Sequence, residues 1–435
     1  VSQPAHDPYA ALRVPEYRRF AAGWAVASMG LQMQGMALGW EVYERTRDPM
    51  ALGLVGLCRA LPVVLLALPA GQIVDSVSRK RVLVGTQIAF ALVSGLLAWA
   101  SLTQAPLWAV YVLVVLSGCA RVFNGPTRSA ILPSLVPPSA FHNAVTWNSG
   151  VFHASAMLGP IAGGVAIDWM KTNAGLSVPA SAAWPVYAVT GLACLIFGLV
   201  MSFSSPTQAP RAPGGLSLAG MRTGMLDGAR HLWREKTILG AITLDLFAVL
   251  LGGATALLPV YAKEILDVGA GELGLLKASP YAGAVLMAFV LAHRGPIRRS
   301  GPALLWSVAG FGVATIVFGF SSSLWLSLGA LLLAGAADNI SVVVRHVLVQ
   351  ARTPEHLRGR VAAVNSVFIE SSNELGGFES ALVADVAGAL LKSVAAGAVV
   401  SIVSGGVGTL VVVVWVAWVF PDLRRLGRLE IGPDR

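Results

Sequence analysis

The sequence predicts an all-α membrane protein: twelve transmembrane helices arranged as two pseudo-symmetric six-helix bundles. Three observations predict it. Of 435 residues, 55% are hydrophobic and only 12% charged, and mean hydropathy is +0.70, whereas a soluble chain carries about 25% charge. Apolar stretches of about 20 residues, long enough to cross a hydrocarbon core as a helix, recur along the whole chain. The second half of the chain repeats the first at an offset of 217 residues. Irregular backbone cannot face lipid, and no alternating strand pattern points to a β-barrel, so the spans are helical.

Taken in order, the spans fall near 18–43, 50–75, 81–103, 107–132, 140–168 and 183–204, then 236–262, 272–293, 301–321, 324–350, 357–387 and 395–420. Spans three and four are joined by "LTQAP", spans nine and ten by "FSSS". The fifth-to-sixth connection, "WMKTNAGLSVPASAAW", is long enough for a short re-entrant piece. The domains are therefore an N-terminal bundle over 1–204, a linker over 205–235 and a C-terminal bundle over 236–435. The linker begins Pro/Gly-rich. From Ser217, Leu218, Met221, Met225, Ala229, Leu232 and Trp233 recur at helical spacing, with Arg222, Arg230 and Arg234 on the other face. That pattern reads as an amphipathic helix on the inner membrane surface or as a solvated connector.

The repeat aligns "GCARVFNGPTRSAILPSLVPPSAFHNAVTWNS" with "GAADNISVVVRHVLVQARTPEHLRGRVAAVNS" without a gap. Identities include Gly118/Gly335, Arg128/Arg345, Asn148/Asn365 and Gly159/Gly376. An even number of spans per repeat keeps both halves in one orientation, as in transporters built from parallel repeats, with the substrate between the halves near the midplane.

Basic residues are retained on the cytoplasmic side. Of 31 Lys and Arg, 21 fall in the tails and the even-to-odd connections. The opposite side holds Arg45, Arg47, Lys171, Lys263 and Lys392. Both termini are expected in the cytoplasm, with the chain multi-pass in a plasma (inner) membrane. The net charge of +9 follows from this asymmetry and calls for no nucleic-acid partner. The first apolar run, after Phe20, is too long for a signal-peptide core, so no cleaved leader is expected. Cys58, Cys119 and Cys194 all lie within spans, which gives neither a disulfide framework nor a metal cluster.

Three stretches carry more specific information. "GQIVDSVSRKR" follows span two: Gly71 permits close helix packing, Asp75 suits a neighbouring helix N-terminus, and Arg79, Lys80 and Arg81 can meet carboxylates or lipid headgroups, or simply mark the inner side. "RVFNG" places Arg121 inside span four, where an arginine costs at least ~2.5 kcal/mol and must face a cavity or a carboxylate. "SAMLGPIAGG" puts Gly159, Pro160, Gly163 and Gly164 in span five; small residues allow close helix approach and Pro160 removes a backbone donor. In this order the three resemble the signatures of the major facilitator superfamily over nearly the whole chain. Ser76, Ser78, Asn124 and Ser155 depart from the family patterns.

The resemblance implies a cytoplasmic gate latched by the first stretch, proton coupling at Arg121, or a structural salt bridge there, and, from the third, membership of the antiporter branch. Within the superfamily, "LGLVGLCRALPVVLLALPAGQIVD" and "SSNELGGFESALVADVAGA" are similar to bacterial siderophore exporters of the enterobactin-exporter type and their macrolide-efflux relatives.

Charges inside spans are functional candidates. Arg121, Asp245, Asp338, Glu370, Glu374 and His153 are candidates for proton coupling; Glu370 and Glu374 stand four apart on one helical face, where close carboxylates in low dielectric favour proton uptake by one of them. Facing Arg or Lys side chains are the alternative partners. Gln32, Gln34, Arg59, Lys277, Asn148, Asn365 and Asn373 are candidates for substrate binding. Arg59 and Lys277 together suit an anionic or phenolate cargo, or pair with Glu41 or the eleventh-span carboxylates.

The reading is a secondary exporter of a small amphipathic molecule, siderophore-like or drug-like, coupled to protons by antiport and working by alternating access as a monomer in the lipid bilayer. No cofactor is expected, the proton gradient supplying the energy. A multidrug or macrolide pump, a lipid flippase and a non-transporting sensor are the alternatives. No nucleotide-binding loop or Ser/His/Asp set points to an enzyme.

Overall fold

The computed structural model describes residues 7–173, 182–204, 227, 229–294 and 297–427. Its long helices follow the expected spans: α1 (Pro15–Thr46), α2 (Pro49–Ser76), α3 (Arg79–Leu102), α4 (Leu107–Ile131), α5 (Phe141–Asn173) and α6 (Trp184–Ser202). The second half holds α7 (Lys236–Leu251), α8 (Leu258–Glu264), α9 (Ala270–His293), α10 (Ser300–Gly319), α11 (Leu324–Arg352), α12 (Glu355–Leu391), α13 (Val394–Val419) and the short α14 (Pro421–Arg424).

Local chemistry sets several boundaries. Pro15 and Pro49 open α1 and α2, where the missing N–H costs nothing, and the Asp48 carboxylate accepts from Met50 N at 2.8 Å. α1 and α12 end on left-handed residues, Arg47 and Lys392. α5 stays continuous through Pro160. The seventh span differs from the single helix expected: α7 stops at Gly252–Gly253, a 3-10 turn follows over Ala254–Leu257, and α8 completes the crossing.

Among the described residues, ten helices are long and apolar enough to cross a membrane by length and composition, α7 and α8 counting together. α1 and α12 complete the twelve. Polar residues such as Gln32, Gln34 and Glu41 in α1, and Glu370, Asn373 and Glu374 in α12, dilute their apolarity. Aromatic side chains such as Trp306, Trp325 and Trp418 face outward, as lipid-facing residues do.

Within the first half α1 packs on α5 and α6, and α3 packs on α4 and α6; within the second, α11 packs on α9 and α10, and α13 on α10 and α12. The interior of the first half is aromatic, with Phe20 edge-on to Phe197 at 5.8 Å. In the second, the buried Tyr261 hydroxyl lies within 2.9 Å of the Phe318, Gly319 and Ser321 carbonyls. The halves meet chiefly through α5 on α9 and α2 on α12. The face where residues 7 and 427 lie is called the terminal face below, and the opposite one the far face. Most of the 205–235 linker and its expected amphipathic helix lies outside the described residues, as do residues 174–181 of the fifth-to-sixth connection.

Candidate translocation site

The far face is closed. Gly164 and Gly274 bring α5 and α9 into backbone contact: a Cβ on Gly164 would collide with the Ala270 carbonyl, and one on Gly274 with the Pro160 carbonyl. The run beginning at Gly159 thus reaches across to the other half. One turn further, the Asp168 carboxylate accepts from Gly271 N at 2.7 Å and from Ala270 N at 3.2 Å. These are orphan amides of the first turn of α9, where the helix dipole favours an anion. Glu272 satisfies Gly269 N at 3.0 Å.

Charged side chains complete this closure. Glu44 lies 3.6 Å from Lys171 and 3.4 Å from Lys263, and both ammonium groups sit over the Trp40 ring. Glu264 accepts from Arg47 at 3.1 Å and from the Tyr43 hydroxyl at 2.9 Å. Lys263 and Glu264 belong to the second half, the others to the first. Sequence reasoning missed this cluster; the break at Gly252–Gly253, which frees α8 to reach α1, was its available signal.

Toward the terminal face the halves separate. Among the described residues, every hydrogen bond or ion pair between halves lies at mid-depth or on the far side. The basic cluster after α2 is engaged within its own half: Arg79 donates to Ala130 O at 2.9 Å, and Lys80 to Ser202 O and Ser204 O at 2.7 and 2.6 Å. Arg81 is exposed. The side chain of Asp75 and the surroundings of Gly71 are outside the described part of α2.

At mid-depth the structure brings together most of the charges expected to act. Arg121 of α4 meets Glu374 of α12 at 3.6 Å, joining the halves. Arg59 of α2 lies within electrostatic reach of both. Lys277 of α9 points at α1, its Nζ 3.5 Å from Gly35 O, and is within reach of Arg59. Tyr281 lies within reach of Arg121, Asp338 and Glu370, and sequence reasoning had not singled it out.

Several expected members lie elsewhere. Asp245 is buried in an ion pair with Arg345, so it holds the second half together and does not face the chamber. Gln34 is buried and accepts from Ser94 of α3 at 2.7 Å, within the first half. Gln32 packs its Cβ at Gly159. His153 stacks edge-on to Phe152 at 5.6 Å with its Nδ1 unpartnered, apart from the carboxylates. Asn148 carries a buried, unpartnered Oδ1. Asn373 donates to Ile369 O of its own helix. Asn365 lines a cavity of about 410 Å³ with Arg345, His346 and Arg358 near the terminal face.

Arg128, the repeat partner of Arg345, has a different counterpart: its guanidinium sits 3.9 Å over the Trp24 ring. One repeat neutralises this arginine with a carboxylate, the other stacks it on an aromatic face.

A family profile described as Major Facilitator Superfamily matches residues 20–377. The chain belongs to the Major Facilitator Superfamily. As a member it is a multi-pass membrane transporter of small molecules and not an enzyme. It is 27% identical over 391 residues to the multidrug efflux pump Tap of Mycobacterium tuberculosis (strain ATCC 25618 / H37Rv), covering 85% of this chain and 86% of that protein. Over 132 residues it is 30% identical to the Staphyloferrin A transporter of Staphylococcus aureus (strain NCTC 8325 / PS 47), 30% of this chain and 33% of that one. Among solved structures, a bacterial homologue of the human lysosomal transporter Spinster, inward-facing and unoccupied, aligns with a TM-score of 0.74 at 14% identity, over 94% of this chain and 98% of that one. An inward-facing bacterial homologue of the iron transporter ferroportin aligns with a TM-score of 0.68 at 15% identity, over 95% and 99%. These likenesses establish the superfamily fold with its two six-helix bundles.

Proposed function

We propose that this transporter is a proton-coupled exporter of a small amphipathic molecule, working by alternating access in the inner membrane. The observation that carries the reading is the pairing of a closed far face with a mid-depth chamber where Arg121 meets Glu374 across the halves. An excess of Lys and Arg on the terminal face supports a cytoplasmic placement of that face, in which cargo would enter from the cytoplasm in this state. The two bundles would rock as units, 1–204 against 236–435, joined by the 205–235 linker, in a protein that works as a monomer without a bound cofactor.

Export in place of import rests on the glycine-proline run packed on α9 and on likeness to a protein named an efflux pump. Glu374 is the proposed proton carrier. Glu374 pairs with Arg121 at 3.6 Å, and protonation would release that cross-half pair; Asp338 and Glu370 lie within electrostatic reach of the neighbouring Tyr281. Broad drug efflux is the second reading, favoured by the same likeness.

Inside-out vesicles test both parts. Cargo supplied as extracts of the producing cell is expected to accumulate and to be lost when the proton gradient is dissipated, and ethidium supplied in the same way probes the broad drug-efflux reading. Glu374→Gln is expected to abolish dependence of transport on that gradient while the purified protein keeps its melting temperature. Gradient-independent accumulation, or coupling retained in the variant, removes proton antiport or the Glu374 assignment respectively.

A further inference from the structure

At mid-depth two basic side chains stand together, and among the described residues no carboxylate pairs directly with either. Arg59 belongs to α2 of the first half and Lys277 to α9 of the second, and both reach the same stretch of α1. A Cβ placed on Gly35 would lie 3.9 Å from Arg59 Nη2, and one on Gly39 would lie 3.4 Å from Lys277 Nζ. Gly35 and Gly39 are one helical turn apart, so the two charges stand side by side along one face of α1. The Lys277 ammonium has a long 3.5 Å contact to the Gly35 carbonyl.

The carboxylates that could have neutralised them are used elsewhere. Glu41 meets Arg45 at 3.6 Å, and Glu374 meets Arg121 at 3.6 Å. Among the described residues neither Arg59 nor Lys277 takes part in an ion pair. A cation held inside the membrane region without a direct ion pair is costly, and two adjacent ones repel each other as well. The protein bears that cost at a point reached from both halves, beside Arg121, whose side chain is 59% exposed.

We infer that Arg59 and Lys277 form an anion subsite, and that the cargo carries an acidic group, a carboxylate or an ionised phenol, which bridges the two halves. This rests on the reading that the chamber carries cargo. Arg59 offers a planar fork to such a group and Lys277 a point charge. The acidic group, held by one residue from each half, would draw the halves together around it. Uncharged and cationic amphiphiles lack that bridge, so the subsite sets specificity by charge.

Three isosteric probes test it on the full chain in nanodiscs: 2-naphthoate, 2-naphthamide and 2-naphthylmethylammonium, followed by quenching of intrinsic tryptophan fluorescence. Naphthoate is expected to bind about tenfold or more tightly than naphthamide, the advantage of charge-assisted hydrogen bonds, and the ammonium probe more weakly than either. The advantage should fall to near unity in Arg59→Gln/Lys277→Gln. It should persist in Arg59→Lys/Lys277→Arg, which shows that charge and not folding is being read. Equal binding of naphthoate and naphthamide, absent naphthoate binding, or an advantage that survives the double Gln variant overturns the inference.

The vesicle experiment separates this from transport. Gradient-driven efflux of ethidium without naphthoate preference removes the anion subsite and leaves the exporter standing. Naphthoate bound through Arg59 and Lys277 without gradient-driven transport keeps the subsite and removes the exporter reading.

Discussion

Neutralising Asp168 should open the far face. Its carboxylate receives two backbone N–H groups of α9, at 2.7 and 3.2 Å, and these bonds exist only while α5 and α9 are together. A hydrogen bond to a charged group contributes about 1.5–3 kcal/mol. Asp168 is only half-buried, so solvent screening favours the lower end of that range. Asp168→Asn keeps the size and one acceptor oxygen but turns an amide NH2 toward a backbone donor. A loss of about 1.5 kcal/mol corresponds to roughly a tenfold rise in the ratio of far-open to far-closed molecules. Spin labels at Thr103 and Ser322, exposed at the far ends of the two halves, would report it by pulsed electron–electron distance measurement after Cys58, Cys119 and Cys194 are replaced. A rise in the long-distance population of about tenfold is expected, with an unchanged melting temperature. An unchanged distance distribution in a well-folded variant refutes the argument.

Two further perturbations separate folding from gating. Asp245→Asn strands the buried Arg345 guanidinium, at a cost of about 3–5 kcal/mol; a large fall in the melting temperature in detergent is expected, partly restored in Asp245→Asn/Arg345→Met, and a stable single variant argues against the pair. Gly164→Leu and Gly335→Leu each place a side chain against backbone, Ala270 O in the first case and Pro280 O in the second. Gly335 packs within its own half, so its variant should lose stability. Gly164 packs across the halves, so its variant should stay folded, shift the Thr103–Ser322 distances outward and lose transport; equal melting temperatures for the two would count against this division.

The legibility of this chain follows the physics of its environment. Helix ends and spans were readable because lipid imposes length and apolarity on each segment separately. α1 and α12 were readable too, although their polar residues weaken the signal, because the repeat and the charge asymmetry bracket them. The split between α7 and α8 was not expected, although Gly252–Gly253 marks it; an apolar stretch of that length reads as one crossing whether or not its backbone breaks. For the charges, the sequence located the groups but not their partners. Arg121, Glu374, Arg59 and Lys277 converge as their depth suggested, whereas Asp245 and Gln34 turn inward because each has a partner on a neighbouring helix of its own half. Which face of a helix meets which neighbour is decided by tertiary packing, and one sequence does not carry that.

The repeat is visible in space as well as in sequence, and its asymmetry says which contact holds the far face. Gly159 and Gly376 each pack against the first helix of their own half: a Cβ would lie 2.6 Å from Gln32 Cβ of α1 in one case and 2.7 Å from Val249 O of α7 in the other. Across the halves, Gly274 of α9 meets Ile161 of α5, and Gly53 of α2 meets Phe378 of α12; Ile161 and Phe378 stand 217 residues apart. The two seams are therefore built from equivalent surfaces. Their electrostatics differ. Asp385 is the repeat equivalent of Asp168, yet among the described residues it makes no hydrogen bond or ion pair, because the N-terminus of α2 is already capped by its own Asp48. One seam is packed and the other is packed and charged. Asp385→Asn, labelled at the same two positions, should therefore leave the far-face distances where they are while Asp168→Asn moves them. Equal effects from the two would mean that net charge at the far face, and not the cap on α9, holds it shut.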